Sequence, residues 1–221
     1  MNRGSLVLLA ALAAAQVPAS AAQSRPDARP ESQPESQPAS QPESRPRGVT
    51  WSTDGAARGF TLIAPLRATT AYLVDMDGRE VHAWPSQHLP ANGVRLLDDG
   101  SLLRACARDH AAIHAGGLGG RFERIAWDGA LAWEWDAADE QWSPHHDFDV
   151  LPNGHLLVLG WERRSRDEAL RAGRDPATVG DDGLWSELVR EVRPLAPRGA
   201  ELVWEWRAWD HLVQDRDAAL A

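Results

Sequence analysis

The sequence predicts an all-β fold, a β-propeller assembled from four-stranded antiparallel blades. Three observations predict it. Two hairpin patterns alternate along the chain and recur at about 50 residues: Gly78 to Gly129 is 51 residues and Gly100 to Gly154 is 54. Eleven Trp stand against one Tyr and three Phe, and Trp84, Trp133, Trp135, Trp204 and Trp206 fall at equivalent repeat positions. Asp-Gly or Asn-Gly closes the turns at Gly78, Gly100, Gly129 and Gly154, flanked by alternating apolar residues, which is the signature of tight antiparallel hairpins.

Residues 1–22 contain Arg3, an apolar run over 6–15 and the small-residue triplet Ala19-Ser20-Ala21, the pattern of a secretory signal peptide. The run is too short for a hydrocarbon core that needs about 20 residues. Residues 23–48 repeat Glu-Ser-Gln-Pro at 31–34 and 35–38, with a variant at 39–42. Pro at every fourth position removes backbone donors, and almost nothing apolar offsets the ordering entropy, so this Pro/Ser/Gln/Glu-rich segment is expected to be a disordered, extended linker. The folded part is then a partial β-propeller over 49–221. A secreted or periplasmic protein follows, with no integral membrane segment after signal cleavage.

Within the folded part, 72–84 reads as an outer hairpin closing on Trp84. The more apolar pattern at 94–103 reads as an inner hairpin, followed by an outer one at 122–135. The same order returns with an inner hairpin at 148–159 and an outer one at 188–206, whose turn is longer. Ser165 and Glu168 form a capping box for a short helix that Gly173 stops, between the inner and outer hairpins of the last unit. This makes about two and a half blades, against the roughly four to eight that close a propeller. The chain is therefore expected to be a truncated propeller.

Composition narrows the function classes. The formal charge is −9, and because 23–48 is nearly balanced, the acidity belongs to the folded part. A nucleic-acid partner is not expected, since phosphate contacts need clustered Lys and Arg. Cys106 is the only cysteine, so no internal disulfide can form; its strand context predicts a buried, inert thiol.

The densest chemical constellation is Ser143-Pro144-His145-His146-Asp147, where the chain approaches an inner strand. Paired histidines there could serve as ligands, as general acid/base groups or as donors to an oxyanion. On a regular strand, however, neighbours point to opposite faces. His110 and His114 precede a Gly run at 116–120, which precedes a strand and so fails the dinucleotide fingerprint. His211 follows the last Trp strand. Trp142, just ahead of the paired histidines, could pack structurally or stack on an aromatic ligand. None of these residues sits at a diagnostic metal-ligand spacing, and no metal or other cofactor is expected.

The stretches Ala71-Tyr72-Leu73-Val74-Asp75-Met76-Asp77-Gly78, Val81-His82-Ala83-Trp84, Gly116-Gly117-Leu118-Gly119-Gly120, His145-His146-Asp147-Phe148 with Leu151-Pro152-Asn153-Gly154, and Trp204-Glu205-Trp206 with Asp210-His211-Leu212 together resemble the arylsulfotransferase family. The likeness runs from Thr61 to about Gln214 and corresponds to an N-terminal half. The resemblance implies a six-bladed propeller that moves a sulfuryl group from a phenolic sulfate ester to a phenol acceptor through a sulfated histidine, without a nucleotide donor. Onto this chain it carries only His146, with His145 beside it, as catalytic residues in a sulfate-binding or acid/base role, with the nucleophilic His expected from later blades; His211, His114 and Trp142 are the substrate-binding candidates offered by the residues themselves. The competing class is a non-catalytic propeller module that binds a ligand or a protein.

Overall fold

The structure, a computed structural model, describes residues 49, 51–109, 117 and 119–212. The expected signal peptide and linker, 1–48, lie outside the described residues, as do His110 and His114. Tight turns set the architecture. In each, a side-chain oxygen accepts from the amide two residues on: Asp99 from Ser101, Asp128 from Ala130 and Asn153 from His155, all at 3.0 Å. The following glycine takes the left-handed conformation that closes the hairpin, as Gly129 does at φ 87°.

Among the described residues eleven strands form three antiparallel sheets, each a simple up-and-down meander. The first contains β1 (Thr61–Ile63), β2 (Ala71–Val74) and β3 (Glu80–Trp84). The second contains β4 (Pro90–Leu96), β5 (Leu102–Ala107), β6 (Gly120–Ile125) and β7 (Leu131–Asp136). The third contains β8 (Trp142–Val150), β9 (Leu156–Arg164), β10 (Leu184–Pro194) and β11 (Ala200–Arg207). The inner-then-outer hairpin order read from the sequence is the strand order in both four-stranded sheets. The first sheet adds β1, which the hairpin patterns do not contain. The helix α1 (Arg166–Arg171) lies between β9 and β10, and Ser165 and Glu168 cap it reciprocally. Among the described residues no helix is long and apolar enough to cross a membrane.

The sheets stack through two apolar layers. Ala71, Leu73 and Trp84 of the first sheet meet Leu102 and Ile125 of the second. The opposite face of the second sheet, with Leu103, Ala105, Phe122 and Trp133, meets Phe148, Leu156, Val158, Leu188 and Val192 of the third. Period-two alternation explains this: Leu102 and Leu103 are neighbours on β5 and serve different layers. The second sheet is therefore covered on both faces.

The outer hairpins share an irregularity. An extra residue shifts the register after Leu73 in the first sheet, after Arg124 in the second and after Glu191 in the third. The three positions are equivalent in the repeat.

A polar cluster lies between the first two sheets. Arg104 is buried, and its Nη1 and Nη2 donate to the carbonyls of Thr69 (2.6 Å) and His88 (3.0 Å). Glu123 accepts from Ser86 Oγ (2.7 Å) and Arg121 Nε (3.0 Å), and the Cys106 thiol lies 3.5 Å from the same carboxylate. Burial pushes the Cys106 thiol up to about 12, so the buried, inert cysteine expected from the sequence is what the fold contains.

Candidate functional site

Strand β8 does not run regularly. Pro144 pairs with Gly160 and Phe148 with Val158, so three residues on β8 stand opposite one on β9. The bulge holds His145, His146 and Asp147. Their backbone finds partners elsewhere: His146 N donates to Gly117 O and Gly119 N donates to Pro144 O, each at 2.8 Å. His146 stands at φ 54°, a conformation that costs a residue with a Cβ about 1–2 kcal/mol. The opposite-face rule therefore fails here. Adjacent histidines that a regular strand would separate are brought within 2.9 Å, Nδ1 to Nδ1.

The first strands of the two four-stranded sheets lie against each other at this point, β4 on β8. Close approach requires a bare glycine, because a Cβ on Gly93 would fall 2.7 Å from Phe148 Cδ1. Arg95 on β4 reaches across to Asp147 (3.1 Å) and to the Phe148 carbonyl (2.8 Å), pinning the far end of the bulge. On the other side, Gly117 supports the His146 ring. A Cβ at Gly117 would lie 2.6 Å from His146 Nε2, so the imidazole occupies the space that any other residue would need.

Glu187 on β10 completes the arrangement. Its carboxylate accepts from Trp161 Nε1 (2.7 Å) and is bonded to His145 Nε2 (2.8 Å), while the Trp161 and His145 rings stack at 3.9 Å. A carboxylate only accepts, which fixes the proton of His145 on Nε2. Burial pushes the His145 pKa below its ordinary value, against the charge and hydrogen bond of Glu187, which raise it. A neutral His145 offers a lone pair at Nδ1, so His146 donates its Nδ1 proton there and keeps a free lone pair at Nε2. His145 is buried and His146 exposed. The chain Glu187–His145–His146 thus runs from a braced carboxylate to a basic nitrogen at the surface.

No protein-family model and no curated protein matches the chain. The function must be read from the site itself.

Of the residues singled out in the sequence, His145 and His146 come together. Trp142 does not join them: it is buried between the second and third sheets, donates Nε1 to the Ala137 carbonyl and lies under Arg190 at 4.3 Å. His211 sits in a single 3-10 turn (Ala208–His211) and stacks on Trp206 at 5.0 Å. Its contact is with an outer strand. His114 is outside the described residues, so its place relative to the pair is not part of the site. Among the described residues no group of three or more His, Cys, Asp or Glu is placed to hold a metal ion. Glu187 and Trp161 were not singled out in the sequence. The signal that finds them is register: Trp161 pairs with Glu187 across β9 and β10, beside the bulge.

Proposed function

We propose that this chain is an exported protein of the arylsulfotransferase type whose sheets are arranged as propeller blades. On this reading it transfers a sulfuryl group from a phenolic sulfate ester to a phenol. The meander sheets, stacked in series with β4 of the second against β8 of the third, support the propeller reading; the stretches resembling the family support the chemistry. The observation that carries it is the Glu187–His145–His146 chain ending on an exposed imidazole nitrogen.

In the transfer, the sulfur–oxygen bond to the donor aryl group breaks and the aryl oxide leaves. A new bond forms from sulfur to the accepting atom, first an imidazole nitrogen and then the oxygen of the acceptor phenol. The phenol must lose its proton as it attacks. His146 Nε2 takes that proton, and His145 with Glu187 holds the resulting imidazolium in place, since the positive charge spreads toward a carboxylate. That proton then passes through solvent to the aryl oxide released in the first step, so the site ends each cycle as it began.

The test is phenol-dependent release of nitrophenol from nitrophenyl sulfate, followed by absorbance, with the full chain. His146→Ala is expected to lose about 100-fold or more in rate, the usual contribution of a positioned acid/base group. Turnover in that variant equal to wild type overturns the role of His146. A chain that forms no aryl sulfate from any phenol overturns the assignment of sulfuryl transfer.

A further inference from the structure

We infer, resting on the sulfuryl-transfer reading of the His146 site, that Asn92 binds substrate there, its side-chain amide donating to the sulfuryl group of an aryl sulfate. Neither the hairpin patterns nor the family likeness singles this residue out; the register of the sheets does.

The bulge that carries the histidines occurs twice. In the third sheet β8 leaves its partner after Pro144 and rejoins it at Phe148, with His145, His146 and Asp147 opposite a single residue. In the second sheet β4 does the same. Pro90 pairs with Cys106 and Val94 with Arg104, so Ala91, Asn92 and Gly93 stand opposite Ala105 alone. Each bulge opens on a buried proline, a residue with no N–H to give to the ladder. Each buries its first residue, Ala91 or His145, and exposes its second, Asn92 or His146. Asn92 is therefore to the second sheet what His146 is to the third. A bulge that recurs at the same place in successive sheets is a device for re-aiming a side chain.

The two bulges also meet. A Cβ on Gly93 would lie 2.7 Å from Phe148 Cδ1 and 3.3 Å from Asp147 Oδ1, so β4 runs directly against these two side chains. Asn92 precedes Gly93 and His146 precedes Asp147, each one Cα step of about 3.8 Å from a member of that contact. Ala91 lines the same narrow gap as His145, His146 and Asp147. Arg95, bonded to Asp147 at 3.1 Å, ties the two strands together.

The two exposed side chains differ in the way the transfer requires. In the tautomer that Glu187 and His145 impose, His146 Nε2 carries a lone pair, which takes a proton but cannot hold an anionic oxygen. The non-bridging oxygens of a sulfuryl group only accept, so something else must donate to them. The Asn92 amide has two N–H bonds and no charge, and it grips those oxygens without altering the basicity of the neighbouring imidazole.

The test is titration of the full, isotope-labelled chain with para-nitrophenyl sulfate, following side-chain amide signals by NMR; the Asn92 pair is identified by its loss in Asn92→Ala. Those signals are expected to move with the ester. Asn92→Ala is expected to bind the ester about tenfold more weakly or worse, the usual worth of a hydrogen bond to a charged group. Its affinity for para-nitrophenol, which lacks the sulfuryl group, should stay that of wild type. An Asn92 signal that the ester leaves in place overturns the inference, and so does an equal loss of both compounds, which assigns Asn92 a packing role. Turnover is read separately. A chain that holds the ester through Asn92 yet transfers nothing refutes the transfer reading and keeps a sulfate-ester site at Asn92. An Asn92→Ala chain that binds and transfers like wild type keeps the transfer reading and removes Asn92 from it.

Discussion

Replacing Glu187 by Gln isolates the role of the carboxylate, because the side chain keeps its shape while losing its charge. Glu187 now accepts from two donors, Trp161 Nε1 and His145 Nε2, one on each oxygen. An amide has a single carbonyl oxygen, so one of the two donors faces an N–H instead. Leaving a buried donor unpaired costs about 1–3 kcal/mol, and the lower end applies because the Glu187 side chain is 42% exposed and water can reach it. About 1 kcal/mol corresponds to a fall in Tm of roughly 2–4 °C for a domain of this size. The electrostatic consequence is more specific. Glu187 raises the His145 pKa against burial, so its removal lowers that pKa further. The unfolded chain binds a proton at His145 near 6.5 and the folded chain only at lower pH. Stability is therefore full above 6.5 and lost as pH falls from there through the folded value. Glu187→Gln extends that loss to lower pH and steepens the difference between melts at about pH 7.5 and about pH 5. Histidine ring signals followed by NMR against pH measure the shift directly. An unchanged or higher His145 pKa in the variant would refute the assignment of Glu187 as its partner.

Two further outcomes are expected from the same geometry. Gly117→Ala places a Cβ against the His146 ring and forces a Cβ-bearing residue into φ 78°, so it should displace His146 and cost about 1–2 kcal/mol in denaturant unfolding. An unaltered reactivity of His146 toward diethylpyrocarbonate would count against the contact. Cys106 should resist maleimide labelling in the native protein and react fully only in denaturant, given its burial beside Glu123; labelling of the native thiol at the rate of a free peptide cysteine would contradict its placement.

The repeat was legible because its signals are local. Asp-Gly and Asn-Gly turns, alternating side chains and recurrent Trp define the hairpins without any long-range information, and the Ser165–Glu168 capping box is equally local. β1 escaped notice because three residues, Thr61–Ile63, carry too little pattern to separate a strand from a loop. The site was half legible. Consecutive histidines are visible in any sequence, yet strand parity argued that they diverge, and only a bulge between Pro144 and Phe148 brings them together. That bulge depends on the backbones of Gly117 and Gly119, which the sequence shows only as part of a glycine run ahead of a strand. Glu187 was out of reach because 42 residues and a helix separate it from His145, and nothing short of sheet register relates the two. Trp142 shows the converse, proximity in sequence without a place beside the paired imidazoles: it takes the packing role, one of the two the sequence left open, in the apolar layer between the second and third sheets.

The extra residue shared by all three outer hairpins makes those hairpins interchangeable parts. A segment transplanted from one sheet to another arrives with its tryptophans on the correct side only if that residue travels with it. Shortening any copy by one would turn the end of the strand over and send Trp84, Trp135 or Trp206 toward the wrong neighbour.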